Sequence, residues 1–549
     1  MRADDDNSAG HNHSLGRNRS LFWATFGVTL LHAGLCLLVW NPQDITYISD
    51  EGTYLILGKS LAQNGEYRSI SWPEEPKHVK YPPVFPLLLS IVWKALPDFP
   101  RDVPWFRGIN ILLGSASLWV MQGLYAKGCS LSRTERMTIL LLVAVHPAML
   151  FYSTSIHTEP LYLLISGGIL WYAVVESSGR LLDSSWFGFW LGLLTGLLLY
   201  VRLAGIALAL AVLFYLLVLK RYRNFLQAAL TLIVLVTPWL LWVGLNSTEK
   251  SYRGFTFYSD YFRDWGQVVH DHGLTHLLWT NGISLFFGIP KTCFFPFQTD
   301  PQMITQLAFW LGIPFHYFLW RGFVRTWRDG VNKLFHLYTL SSLAVFLAWP
   351  YMAQERFLGT LLPFLYLFFL MGTRSNASPG SGETPIIRRL VVIVSWSMAA
   401  VLLISLGFHT LKYGYAAIQN QSLSEQRRDA HACFAWLRQK TGSGDTLLAD
   451  LDALFYLHTD RKVLPLALVL ERKQGAWIFS DTATRKAGAS YLVSGKDDFL
   501  VLGPSLRSEL QTTIASHLEE NPLLYRRVFT SPQGRYQIYS LSRGEEPSR

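Results

Sequence analysis

Cysteine is scarce in this chain. Four residues among 549, at positions 36, 129, 293 and 433, lie too far apart for any metal-ligand spacing. That excludes a disulfide framework and a cysteine-bound zinc, and leaves open a single bridge between Cys293 and Cys433. Charge is scarce as well: 16% of residues are charged while half are hydrophobic and 14% aromatic, a balance that excludes an ordinary soluble protein. No repeat divides the chain into related halves, and the one stretch of linker-like composition is "SNASPGSGETP".

What is present is long apolar runs. Segments of roughly 15 to 20 uncharged residues alternate with short charged connectors, as a polytopic helical bundle requires when backbone groups must be satisfied inside lipid. A transmembrane β-barrel would show short alternating segments instead. The predicted spans are Leu21–Trp40, Trp105–Tyr125, Met137–Ser153, Pro160–Val175, Trp186–Tyr200, Leu203–Leu219, Phe225–Leu245, Leu307–Trp320, Leu334–Trp349, Phe357–Leu370 and Leu390–Phe408. The expected fold is therefore an α-helical polytopic membrane protein of about eleven transmembrane helices. The first run follows Arg17 and Arg19 like a signal peptide, but its apolar part is too long and no small-residue cleavage site follows, so it reads as a retained helix.

The net charge of +10 falls mainly in the short connectors, which makes it a topology signal rather than a nucleic-acid surface. Lys127 with Arg133 and Arg136, Lys220 with Arg221 and Arg223, Arg321 with Arg325 and Arg328, and Arg388 with Arg389 all land on the face of the N-terminus. Lysine and arginine are retained on the cytoplasmic side, so Asn41 to Pro104, the turns at His157–Glu159, Arg202 and Tyr351–Arg356, and the loop Asn246–Gln306 belong outside. Arg101 and Arg107 are a mild exception. Part of the last loop, Leu285–Phe297, is apolar enough to dip into the interface.

After residue 410 the composition changes. Residues 1–410 read as the membrane domain and 411–549 as a small α/β domain outside the cytoplasm. Its expected order is helix Glu425–Gln439, strand Thr446–Ala449, helix Leu451–Leu457, strand Tyr491–Ser494, helix Leu506–Leu518, then a hairpin turned at Pro532–Gly534. No nucleotide-binding glycine fingerprint occurs in it.

Charged groups beside hydrocarbon are expensive, so those at helix ends on the outer face need a reason. Asp50 and Glu51 are adjacent carboxylates about ten residues beyond the first span. They are either a solvated pair or a working one. Lys80 and Tyr81 precede Pro82 and Pro83, which forbid a helix there and hold them extended; Val84–Leu96, too short to span, then lies at the interface. Lys80 is thus fixed near headgroup depth, to snorkel or to bind an anion. Glu159 begins the fourth span ahead of Pro160, where the helix N-terminus favours a carboxylate. His157 beside it reads as a surface or packing residue rather than a metal ligand. Arg202 is an interfacial anchor or a ligand, and Arg356, between apolar runs, wants a phosphate or carboxylate partner.

Outer carboxylates facing outer cations suit a reaction that deprotonates one partner and expels an anion from another. The stretches "DEGTYLILGKSLAQNGEY", "KYPPVFPLLL", "STSIHTEPLYLL", "YVRLAGIALAL" and "ERFLGTLLPFLYLF", in this order and on this face, resemble the GT-C superfamily of polytopic glycosyltransferases, which take sugars from polyprenyl phosphates. The resemblance implies an inverting displacement at the anomeric carbon, an envelope lipid, glycan or protein as acceptor, and a bacterial inner membrane location. It implies Asp50 as the catalytic acid of the first loop, with Glu51 assisting, and Glu159 as the second-loop carboxylate. Lys80, with Tyr81 beside it, Arg202 and Arg356 would bind the donor phosphate. No cofactor is certain; Asp50 and Glu51 could share a divalent ion such as Mg2+ or Mn2+, whose preferred ligands are oxygens.

The sequence departs from two branches of that superfamily. The tryptophan-tryptophan-aspartate motif of oligosaccharyltransferases and the inserted lectin-like domain of protein O-mannosyltransferases are both absent. Enzymes that put aminoarabinose on lipid A or single sugars on envelope glycans remain, and the sequence does not choose among them. The main alternative is a transporter or flippase for a lipid-linked or anionic substrate, which would place its charges near the midplane. A non-catalytic scaffold is the third, and it predicts that neutralising Asp50 changes nothing.

Overall fold

The computed structural model describes residues 6–40, 49–177, 186–247, 261–294, 301–350, 355–374, 421–473, 476–496 and 504–541, with Asp498 and separate positions between 389 and 411. Of the expected span Leu390–Phe408, eleven of nineteen positions are described and all of these are helical, while the linker-like connector falls outside the described residues. The chain divides into two compact units. One comprises Met1–Trp40, Arg107–Trp239 and Trp265–Ile418; the other comprises Asn41–Phe106, Leu240–Asp264 and Gln419–Arg549.

The first unit is helical. Among the described residues of the whole chain, three helices are long and apolar enough to cross a membrane, Arg19–Val39, Val103–Gly128 and Tyr222–Asn246, and a bent pair makes a fourth. Shorter apolar helices include Phe187–Val201, Lys333–Leu347 and Leu362–Thr373.

Two expected spans are broken rather than continuous. Met137–Ser153 is the bent pair Arg133–Ala144 and Pro147–Thr154, which meet at 56°. Pro147 has no amide hydrogen and forces the preceding residue out of helical geometry, so His146 lies extended at φ −64, ψ 126. Its Nδ1 accepts from the Ala148 amide at 3.1 Å, capping the second helix, and its Nε2 donates to the Thr292 carbonyl at 2.9 Å. Phe357–Leu370 is likewise split, into Glu355–Gly359 and Leu362–Thr373.

Helices Pro301–Arg328 and Leu362–Thr373 touch backbone to backbone. A Cβ at Gly322 would lie 1.7 Å from the Phe368 carbonyl oxygen, and one at Gly372 would lie 1.9 Å from that of Phe318. Small residues permit such an approach where lipid supplies no hydrophobic drive between helices.

The second unit is built on a five-stranded sheet. Its strands are β1 (Thr446–Ala449), β2 (Lys462–Pro465), β5 (Tyr491–Gly495), β6 (Tyr525–Thr530) and β7 (Tyr536–Leu541), in the order β2-β1-β5-β7-β6, while β3 (Leu470–Lys473) and β4 (Ala476–Phe479) form a separate hairpin. β1 runs parallel to β2 and β5, and the β6–β7 hairpin closes the far edge antiparallel. Leu448, Leu492, Leu510 and Ile514 form its core, all nearly solvent-free. The β6–β7 turn, with Gly534 at φ +67, is fixed by the buried Asp429, which accepts from Ser531 Oγ at 2.6 Å and from two turn amides. The four cysteines are thiols, so the Cys293–Cys433 bridge left open by the sequence is absent.

The helix Ser49–Asn64 also belongs to this unit. Asp50 and Glu51 occupy its first turn, where the backbone amides favour negative charge, and Gly65 at φ +68 ends it in the left-handed conformation. The chain then turns back through a short antiparallel bridge, Arg68 to Lys77, and passes Pro82 and Pro83 into the helix Val84–Ala95.

Candidate active site

The seven residues singled out in the sequence fall into two groups, one in each unit. In the second unit Asp50 is 8% exposed, Lys80 4% and Glu51 fully buried, so none is a solvated loop charge. The Tyr81 hydroxyl donates to Asp50 Oδ1 at 2.6 Å. Tyr81, grouped by the sequence with the phosphate-binding cations, is therefore aimed at the carboxylate.

Tyr81 is itself held on several sides. Its carbonyl accepts from Tyr67 Oη at 2.8 Å, its amide donates to His78 Nε2 at 3.0 Å, and its ring stacks on the His78 imidazole with centroids 5.4 Å apart. Ser69 Oγ lies 3.2 Å from His78 Nδ1, and the Trp242 indole donates to the His78 carbonyl at 2.9 Å. Burial, with Lys80 nearby, pushes the His78 imidazole down to about 3, so it is neutral. Burial and the Asp50 charge hold the Tyr81 phenol well above its ordinary value, so it remains a donor. Tyr54, one helical turn after Asp50, packs its ring 5.0 Å from that of Tyr81.

Lys80 Nζ lies 3.4 Å from Asp264 Oδ2, with both side chains buried, and 5.2 Å from the Tyr261 ring centroid. A tight ammonium–carboxylate contact is about 2.7–2.9 Å, so this pair is loose. For a shared metal the fit is poor. Successive residues on a helix do not face each other, so Asp50 and Glu51 alone form no chelate. Among the described residues no group of three or more His, Cys, Asp or Glu lies close enough to hold an ion.

In the first unit Glu159 is 1% exposed at the start of helix Glu159–Ser177. Its Oε1 is ion-paired with Arg202 Nη1, 2.5 Å away, and accepts from Arg356 Nε. Two guanidiniums thus converge on one carboxylate oxygen. The Arg202 guanidinium also lies over the Phe357 ring at 5.3 Å. The turn before Glu159 is pinned by Asn110, whose amide donates to the carbonyls of Ser155 and His157, the latter at 2.9 Å. His157 is buried against Tyr152 and Phe151, as a packing residue should be.

Sequence reasoning missed Tyr54, His78, Tyr261 and Asp264. The i, i+4 spacing of Asp50 and Tyr54 was a usable signal. His78 lay two residues before Lys80, just ahead of the paired prolines. Asp264, in "YFRDWGQVV", is flanked by Arg263 and Trp265 and carried none.

No family model and no curated protein matches the chain. Solved structures do. One is ArnT from Cupriavidus metallidurans bound to undecaprenyl phosphate, at a TM-score of 0.54 and 13% identity over 95% of this chain and 99% of that one. The chain has the GT-C glycosyltransferase fold. A second GT-C structure, the archaeal oligosaccharyltransferase AglB from Archaeoglobus fulgidus in complex with an inhibitory peptide and a dolichol-phosphate, also has a TM-score of 0.54. It is 14% identical over 95% of this chain and 75% of that one. At such identities the likeness is one of fold, and the GT-C fold is that of a multi-pass membrane protein.

Proposed function

We propose that the protein is a glycosyltransferase that moves a sugar from a polyprenyl phosphate donor to an extracytoplasmic acceptor, an envelope lipid, glycan or protein, by inverting displacement. The observation that carries this is the buried Asp50 carboxylate held by the Tyr81 hydroxyl, on a fold shared with enzymes crystallised with polyprenyl phosphates. Asp50 is the base: its carboxylate takes the proton of the acceptor hydroxyl or amine as that group bonds to the anomeric carbon. The bond from that carbon to the phosphate oxygen breaks, and its electrons leave with the lipid phosphate. Tyr81 orients the base. Glu51, buried beside Asp50, assists it.

Arg202 and Arg356 receive the donor phosphate, because two guanidinium forks converge here and their geometry suits the oxygens of an anion whose charge grows as the bond breaks. Glu159 holds them in place rather than touching the reacting atoms. Lys80, buried in the unit that carries Asp50, is likewise assigned to bind phosphate. The active site faces the outside of a bacterial inner membrane crossed about eleven times, where soluble nucleotide-sugars are not expected and an activated sugar must arrive on a lipid.

The test is mass spectrometry of lipids and envelope molecules from cells with wild type, a deletion or Asp50→Asn. Accumulation of a polyprenyl phosphate-sugar with loss of the matching sugar mass in both altered strains supports the proposal and names donor and acceptor. An Asp50→Asn strain like wild type, beside a defective deletion, sinks the base assignment.

A further inference from the structure

The C-terminal α/β region grips the helix that carries Asp50. A Cβ on Gly52 would lie 2.6 Å from the Cβ of Ala453, about 1 Å inside ordinary carbon–carbon contact. Ala453 is in the first turn of helix Asp452–Thr459. Near the other end of the Asp50 helix, Lys59 Nζ reaches Asp460 Oδ1 at 3.2 Å and lies over the Tyr456 ring at 4.9 Å. The segment that follows is gripped too. Trp72 Nε1 donates to Asp452 Oδ2 at 2.9 Å, Val463 N donates to the Ser71 carbonyl at 2.8 Å, and Lys462 Nζ donates to the Ile70 carbonyl at 2.7 Å. Phe99 packs on His458 with ring centroids 4.9 Å apart.

These contacts share a direction. All but the Phe99 contact tie the Asp50 helix, or the segment between it and Lys80, to helix Asp452–Thr459, its C-cap Asp460 or β2 after it. The closest of them falls at Gly52, one residue from Glu51 and two from Asp50. A side chain there would not fit, so the glycine sets how near the two helices come and hence where the carboxylate sits.

We infer that Gly52 and Ala453 form a steric register through which the C-terminal region positions the Asp50 carboxylate. The two are positioning residues; neither touches substrate. The inference rests on the glycosyl-transfer reading for its catalytic consequence, but the register itself is a geometric claim. A misplacement of about 1 Å in a reacting group costs up to about 100-fold in rate. Gly52→Ala should therefore lower transfer by about 10- to 100-fold. Removing the opposing methyl in Gly52→Ala/Ala453→Gly should restore it to within a few-fold of wild type.

The full-length protein is tested in cells lacking their own copy, scored by the sugar mass on the envelope molecule, with amide hydrogen exchange of residues 49–64 measured in detergent. Support is a loss in Gly52→Ala that the double variant reverses, with exchange of 49–64 raised in the first and normal in the second. Trp72→Phe, which keeps the ring and removes only the bond to Asp452, should give a several-fold loss without rescue by Ala453→Gly. The inference is overturned if Gly52→Ala transfers sugar like wild type, or if the double variant exchanges and transfers as poorly as the single one. Should wild type and the deletion leave identical envelope masses, the transferase reading fails instead, and the exchange data still decide for or against the register.

Discussion

Replacing Tyr81 by phenylalanine takes one hydroxyl from the Asp50 carboxylate and leaves the ring on His78 and Tyr54. In the folded protein that hydroxyl donates at 2.6 Å to Oδ1. Burial and the neighbouring carboxylate keep the phenol protonated, so it is a donor at every working pH. A hydrogen bond to a charged group contributes about 1.5–3 kcal/mol, and one pH unit corresponds to about 1.36 kcal/mol. The bond favours the charged base, so its loss makes protonation easier. The acidic limb of the pH–rate profile should rise by about one to two pH units, while activity well above the limb changes much less. The assay is transfer to the acceptor in proteoliposomes from pH 5 to 9, with the donor found by mass spectrometry. An unmoved limb refutes the reasoning. An unmoved limb with a raised KM and unchanged kcat would give Tyr81 to the donor phosphate instead.

Glu159→Gln leaves two mostly covered guanidiniums without their shared counter-ion, a change that typically costs about 3–5 kcal/mol; differential scanning calorimetry should show a lower melting temperature, and an unchanged one would dissolve the cluster's structural role. Gly322→Ala pushes a methyl into the Phe368 carbonyl and should destabilise by about 3 kcal/mol or more. Gly34→Ala, with nothing within 4 Å, is the control and should melt like wild type or slightly higher. Burial holds His78 and His458 down at about 3 against an ordinary 6.5, so between these values the unfolded chain binds more protons than the folded one. Stability of the second unit should therefore rise with pH across that window and level off above it. Melting curves at pH 4.5 and 7 check this, and His458→Gln should flatten the difference.

The α/β region was legible in order because its helices and the β5, β6 and β7 strands alternate with clear periodicity. Thr446–Ala449 agrees to the residue and the hairpin turn falls at Pro532–Gly534 as expected. The strands β2, β3 and β4 escaped notice because Pro465 ends the first and neither LERK nor AWIF alternates apolar with polar residues. The break at His146 had a visible cause in Pro147, overridden by the surrounding apolar run. For the site, residue types on helix ends carried the signal for Asp50, Glu51, Lys80, Glu159, Arg202 and Arg356. Partnership did not follow from it: that Tyr81 meets Asp50, or Asp264 meets Lys80, depends on pairings 31 and 184 residues apart in sequence. Local periodicity is blind to those.

Strand β2 is the outermost of the parallel strands, and the Val463 amide on its far side is taken by Ser71, from a segment almost four hundred residues earlier. The sheet is thus finished by the beginning of the chain. A fragment starting at residue 419 would leave the Val463 amide on that edge without Ser71, open to pair with a second copy. Translation order then matters: residues 66–78 emerge first and wait, and the last domain to be made arrives at a cover already in place.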